Sequence, residues 1–166
     1  MPEALHFLCH AALVGTGATA FMDAWWWLQK RVFGVPVLDY AMVGRWLGHL
    51  ARGRLRHDAI AAAPAVAAER LLGWTAHYAI GVAFAGVLLG VTGVGWAHAP
   101  SPGPALAVGL ASVAAPFLVL QPALGAGVAA SRTPRPNAAR RRSVATHLVF
   151  GVGLYLAAKG WTLLVG

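Results

Sequence analysis

The chain has 166 residues, of which 58% are hydrophobic and 11% are charged. Soluble domains usually carry about 25% charged residues, so this composition excludes an ordinary water-soluble protein. The formal charge of +8 is confined almost entirely to two regions, which argues against nucleic-acid binding. Phosphate-loop and nucleotide-binding motifs do not occur in the sequence.

Four stretches are poor in charge and long enough to cross a bilayer, since a spanning helix needs about 20 apolar residues. They cover residues 4–29, 71–96, 104–127 and 143–165. The sequence therefore predicts an all-α protein, with one membrane domain over residues 1–166 built as a four-helix transmembrane bundle.

Twelve of the thirteen Lys and Arg residues lie in two loops, residues 30–70 and 128–142. Basic loops stay on the cytoplasmic side of a membrane. The distribution predicts that both loops are cytoplasmic, and that the N and C termini both lie outside. The expected partners are the lipid bilayer and its anionic headgroups, and small residues on the helices would also permit a homodimer or a larger membrane complex.

The first cytoplasmic loop contains a helical pattern from Tyr40 to His57, with apolar residues on one side. Arg45, His49, Arg52 and Arg56 share another side. Such a basic amphipathic helix would lie in the membrane interface and attract anionic lipid. The alternative is a basic face that only reflects the orientation of the protein.

Two prolines interrupt the third span, and each removes a helix hydrogen bond. Pro116 and Pro122 therefore predict a kinked helix near Gln121. Beyond it, residues 131–142 are predicted to be an extended loop, with Asn137 as the cap of the fourth helix.

The second and fourth spans contain similar segments, Ala76–Val82 and Thr146–Val152. In each, a histidine is followed four residues later by a glycine on the same helical face. The space beside each imidazole suits either close helix packing or a bound group.

Each span places one strongly polar residue in the inner half of a hydrocarbon core about 30 Å thick. These residues are Asp23, His77, Gln121 and His147. Facing lipid would cost several kcal/mol, so they are predicted to turn inward and form one polar layer. Three interpretations remain open: interhelical hydrogen bonding, a proton or small-ligand site, and a cofactor site.

In the cofactor interpretation, Asp23, His77 and His147 would be metal ligands, or the two histidines would bind haem. A further histidine cluster is predicted on the outer side, where His6, His10 and His98 lie near Cys9. Histidines four residues apart can share a metal ion, although histidines at helix ends are usually solvated.

Several segments resemble a bacterial family of small inner-membrane proteins of unknown function, the DUF2938-like proteins. They are Met22-Asp23, Tyr40–His49, Glu69–Tyr78, Gln121-Pro122 and Ser131–Arg140. The resemblance covers nearly the whole chain and implies a multi-pass protein of the bacterial inner membrane. It implies no activity and no site residues.

The two inner-loop segments of this resemblance suggest a vestibule for anions or lipid headgroups at the cytoplasmic end of the bundle. It would be formed by Arg45, His49, Glu69, Arg70, Arg132 and Asn137. The alternative is that these charges only set topology.

Three classes of function remain open. They are a proton-coupled transporter or small-ligand binder, a haem- or metal-dependent redox protein, and an accessory subunit with a structural polar layer. Nucleophilic catalysis has no support, because no Ser or Cys lies at the layer with an evident base.

Overall fold

The computed structural model describes residues 2–35 and 38–165, and every regular element within these ranges is a helix. Six α-helices occur in chain order: α1 (Glu3–Phe33), α2 (Tyr40–Leu50), α3 (Glu69–Thr92), α4 (Pro102–Ala111), α5 (Gln121–Leu124) and α6 (Pro136–Val165). Four segments are long and apolar enough to cross a membrane, and these are Glu3–Phe33, Glu69–Thr92, Pro102–Leu124 and Pro136–Leu164. The predicted all-helical class with four spanning segments is confirmed.

Two helices end at other residues than predicted, because a glycine with a positive φ follows each of them. The second span ends at Thr92, because Gly93 has a positive φ of 83° and a separate 3-10 turn follows over Val94–Ala97. Helix α1 continues through the basic pair after residue 29 and stops only at Gly34, whose φ is 64°. Charged residues therefore did not mark the end of this helix.

The prediction of an extended loop over residues 131–142 is wrong in its second half. Helix α6 begins at Pro136, since proline is well tolerated in the first turn of a helix, where its missing N–H has no partner to lose. Asn137 therefore lies inside the first turn and is not the cap. Its side chain accepts a hydrogen bond of 3.1 Å from Arg140.

The third span is interrupted as its prolines predict. Helix α4 ends at Ala111, a π-helical turn occupies Pro116–Leu120, and the short α5 follows. Turns of this kind are common where the regular hydrogen-bond pattern is disturbed. Gly125, with a φ of 99°, then ends the segment.

The chain forms two compact units, each assembled from several segments. The first contains Met1–Val37, Tyr78–Ser112 and Thr146–Gly166. Its apolar core is built from α1, the later part of α3, α4 and α6, and its fully buried large side chains include Val14, Leu88, Leu89 and Leu154. Small residues let the helices approach closely, as at Gly109, where a Cβ would lie 2.5 Å from the Cα of Gly151.

The second unit contains Leu38–His77 and Val113–Ala145. Helix α2 begins after Asp39, whose carboxylate caps it by accepting a 3.0 Å hydrogen bond from the N–H of Ala41. Its backbone crosses the start of α3 closely at Gly44 and Gly73. The helix predicted between Tyr40 and His57 thus exists as far as Leu50, and its position in a membrane interface stays a prediction.

Candidate functional site

Two of the four predicted layer residues lie in the first unit, and each has a polar partner there. The carboxylate of Asp23 accepts a 3.0 Å hydrogen bond from the hydroxyl of Tyr78. Nδ1 of His147 lies 2.6 Å from the hydroxyl of Ser112, which itself donates to the Gly109 carbonyl. Because a hydroxyl has one proton to donate, Nδ1 of His147 is the donor in that pair.

The other two layer residues lie in the second unit. The ring of His77 stacks on Tyr40 at a centroid distance of 4.1 Å and lies 5.8 Å from Trp74. The amide of Gln121 donates a 3.2 Å hydrogen bond to the hydroxyl of Ser143. A single layer that unites all four side chains stays a prediction, as does its use of haem or metal.

The glycines next to the two layer histidines contact other helices. A Cβ on Gly81 would overlap the hydroxyl oxygen of Thr19, and one on Gly151 would lie 3.0 Å from the Ala105 carbonyl oxygen. The sequence predicts either close helix packing or a bound group in the space beside each histidine. In the structure, packed helices occupy the space beside both glycines.

Arg45 and His49, predicted in the cytoplasmic vestibule, hold a loop in place. The Arg45 guanidinium forms two 2.8 Å hydrogen bonds to the Glu69 carboxylate. It also reaches the carbonyl oxygens of Ile60, Ala61 and Ala63 at 3.1–3.4 Å. His49 Nε2 lies 2.9 Å from the Pro64 carbonyl oxygen. Paired guanidinium–carboxylate contacts of this kind are strong and fix geometry, so this part of the predicted vestibule fastens residues 60–69 to α2.

The remaining vestibule residues lie closer to solvent. Arg70 and Asn137 are exposed, and Arg132 is exposed at the rim of a cavity. A common vestibule formed by all six residues stays a prediction.

Three histidines converge at the other cluster predicted from the sequence. His6 and His10 lie one turn apart on α1, and His98 follows the 3-10 turn after α3. Their ring centroids are 4.3 Å apart for His6 and His10, 5.1 Å for His10 and His98, and 5.8 Å for His6 and His98. One ring nitrogen from each lies within 4.8 Å of those of the other two.

His10 is the most constrained of the three. Its side chain is 7% exposed, and Nδ1 lies 2.9 Å from the carbonyl oxygen of His6. A carbonyl can only accept, so Nδ1 carries the proton and Nε2 presents its lone pair. That Nε2 is buried and has no hydrogen-bond partner among the described residues. A buried acceptor without a partner costs about 1–3 kcal/mol, and a bound ion would remove this cost.

The arrangement matches what a transition-metal ion requires. Metal-bound histidines usually donate their second nitrogen to a carbonyl or carboxylate, which fixes the ring and its tautomer, as His6 O does for His10. Zinc–nitrogen bonds of about 2.0–2.1 Å place two tetrahedral ligand nitrogens roughly 3.3 Å apart. His6 is partly exposed and His98 is exposed, so their side chains have room to close the present spacing onto an ion.

Cys9, predicted near this cluster, is exposed and has a free thiol. It is adjacent in sequence to His10 and therefore points about 100° away around the helix. Among residues 2–35 and 38–165, the group of converging ligand atoms consists of the three histidines.

The fold defines the class: an α-helical protein with four helices long and apolar enough to cross a membrane, which is the pattern of a multi-pass membrane protein. Residues 12–160 match the family described as Protein of unknown function (DUF2938), and the chain belongs to that family. No curated protein and no solved structure matches the chain. His6 and His10 precede the matched residues, so the argument for their cluster rests on its geometry.

Proposed function

We propose that this protein binds a transition-metal ion, Zn²⁺ or Cu²⁺, through His6, His10 and His98. The observation that carries the proposal is the buried Nε2 of His10, which has no partner among the described residues and lies within 4.8 Å of two further imidazole nitrogens. Imidazole is a preferred ligand of both ions.

Three neutral imidazoles would leave the ion with its full charge and one open coordination position. Sites with three protein ligands usually keep the fourth position for water or a substrate, whereas structural zinc sites use four protein ligands. The geometry therefore favours an ion that exchanges or meets an external ligand over one that only holds the fold together.

The membrane orientation of this site is part of the proposal. The cluster lies at the ends of α1 and α3 that are remote in sequence from the two basic loops. If those loops are cytoplasmic, both termini and the histidine cluster face outward. In the inner membrane of a bacterium the ion would then come from the periplasmic side.

Purified full-length protein, prepared through a tag without histidine, is expected to bind one Zn²⁺ per chain. Affinity should fall as the pH is lowered from 7.5 to 5.5, because protons compete with the metal for imidazole nitrogens. Titration with a chromophoric zinc chelator as competitor measures both properties. The proposal would be contradicted if the protein could not take zinc from the chelator at pH 7.5. A zinc affinity that does not change with pH would also contradict it.

The polar residues within the spans offer a second candidate, a proton-coupled transport or small-ligand site at Asp23, His77, Gln121 and His147. The supporting observation is that the carboxylate of Asp23 lies inside a spanning helix and accepts a hydrogen bond from the hydroxyl of Tyr78. Ionisable residues within membrane spans commonly mark proton or ion pathways. The alternatives are haem or metal binding by His77 and His147, and a purely structural role.

Proton flux into vesicles distinguishes these roles. Asp23→Asn keeps the size of the side chain but removes the titrating group, and it is expected to abolish a pH-driven flux while leaving the thermal midpoint within a few degrees. If Asp23→Asn instead lowered the thermal midpoint by more than a few degrees, the result would indicate the structural role. An absorption band that disappears in His77→Ala or His147→Ala would indicate haem.

A further inference from the structure

A polar cavity lies within the second unit, away from the residues used in the proposed metal site. It has a volume of about 360 Å³. The ten residues that line it are Arg54, Arg56, His57, Asp58, Leu118, Pro122, Gly127, Val128, Ser131 and Arg132. They come from the segment after α2 and from the region around α5. A 2.9 Å hydrogen bond from the N–H of His57 to the carbonyl of Ala123 joins these two segments.

The charge of this cavity is strongly positive. Arg54, Arg56 and Arg132 line it against a single carboxylate, Asp58. All three arginines are exposed, and none forms an ion pair with another residue in the described ranges. This contrasts with Arg45 in the same unit, whose guanidinium is fully engaged by Glu69 and loop carbonyls.

His57 indicates that the cavity suits a ligand. Its side chain is 5% exposed, and neither ring nitrogen has a hydrogen-bond partner among the described residues. Burial and the nearby charge of Arg54 lower the pKa of His57. The ring is packed edge-on against His49, at a centroid distance of 4.9 Å, so it is held in place beside the cavity.

The lining also has an apolar side. Leu118 and Val128 are 64% and 56% exposed and lie on the same cavity as the arginines. A phosphate ester would place its oxygens among the guanidinium donors, which form strong paired hydrogen bonds with phosphate, and beside the imidazole of His57. Its organic part would lie against the apolar residues.

We infer that the cavity lined by Arg54, Arg56, His57 and Arg132 binds a phosphate group, supplied either by an anionic phospholipid headgroup or by free phosphate. A phosphate monoester carries a charge of about −1.5 to −2 at pH 7, which three arginines and one aspartate balance. Ser131 adds a hydroxyl at the same rim. The site is independent of the histidine cluster proposed to bind metal.

Two probes separate the sources of the phosphate. Full-length protein in neutral detergent is titrated with inorganic phosphate and with dioctanoyl phosphatidic acid, with dioctanoylglycerol as the uncharged reference that lacks phosphate. Native mass spectrometry and the thermal midpoint report binding. Saturation by both phosphate probes indicates a pocket for free phosphate, whereas saturation by phosphatidic acid alone indicates a headgroup site.

The matched variants are Arg132→Gln, which removes a cavity charge, and Arg135→Gln, which removes an exposed charge from the same loop outside the cavity. Loss of a charge-assisted hydrogen bond should weaken binding about tenfold in Arg132→Gln, and Arg135→Gln should remain within about twofold. Both positions are exposed, so neither variant should disturb folding.

Three outcomes would overturn the inference. One is equal weakening in the two variants, which would mean general charge attraction. Another is equal saturation by dioctanoylglycerol and phosphatidic acid, which would mean that the phosphate oxygens are not recognised. The third is the absence of saturable binding by either phosphate probe. None of these outcomes bears on zinc binding, so failure here and failure of the metal site are distinguishable.

Discussion

Replacing His10 by alanine should weaken zinc binding by at least about 100-fold. Changes to residues that merely support a metal ligand already cost about 10–100-fold in affinity, and His10 is the ligand itself in the proposed site. It is also the member of the cluster whose tautomer is set by a backbone carbonyl and whose free nitrogen is buried. The competition titration described above measures the change.

Two control variants make the result specific. Cys9→Ser alters the neighbouring exposed residue and should leave zinc affinity unchanged. His147→Ala removes a histidine that is bonded to Ser112 and should also leave zinc affinity unchanged. If His10→Ala bound zinc as tightly as the unaltered protein, the ion would be held elsewhere. If Cys9→Ser weakened binding as much as His10→Ala, the three-histidine set would be incomplete.

The existence of four apolar helices could be predicted from the sequence because bilayer thickness sets a minimum length that charge-poor stretches must meet. The break in the third span was likewise predictable from Pro116. Both features depend on local properties of the chain, namely hydropathy and the missing proline N–H, so no knowledge of tertiary contacts was needed.

Helix ends were predicted less well, because they depend on backbone conformation as much as on charge. The basic residues Lys30 and Arg31 predict the end of the first span, but α1 continues to Phe33 and is capped by Gly34 in the left-handed conformation. The prolines of the second loop predict an extended segment that includes Pro136, although proline also suits the first turn of a helix, and α6 begins there. The same residue types therefore permit two conformations.

The histidine cluster and the Arg45 contacts show what sequence patterns leave open. Spacing alone places His6 and His10 on one face of a helix, but His98 joins them only through the turn that follows Gly93. From the sequence, Arg45 could equally belong to a basic helix face that attracts lipid or form an ion pair with Glu69, and the structure has the ion pair. Long-range pairing decides both, and periodicity carries no information about it.

The crossing of α2 and α3 is the contact most sensitive to added volume in the second unit. A Cβ on Gly44 would overlap the carbonyl oxygen of Glu69, and a Cβ on Gly73 would overlap the carbonyl oxygen of Tyr40. Backbone atoms cannot turn aside as a flexible side chain can. Separating the helices would also pull Glu69 away from Arg45, whose paired hydrogen bonds are 2.8 Å long.

Gly44→Ala should therefore destabilise the protein by about 3 kcal/mol or more, the upper part of the range for overpacked sites. For a chain of this size each kcal/mol corresponds to about 2–4 °C in thermal midpoint, which circular dichroism at a helical wavelength measures in detergent. Gly90→Ala is the matched control, because a Cβ there meets nothing within 4 Å, and alanine favours a helix over glycine. Its midpoint should stay level or rise. Equal midpoints for Gly44→Ala and Gly90→Ala would mean that the two backbones do not touch at Gly44.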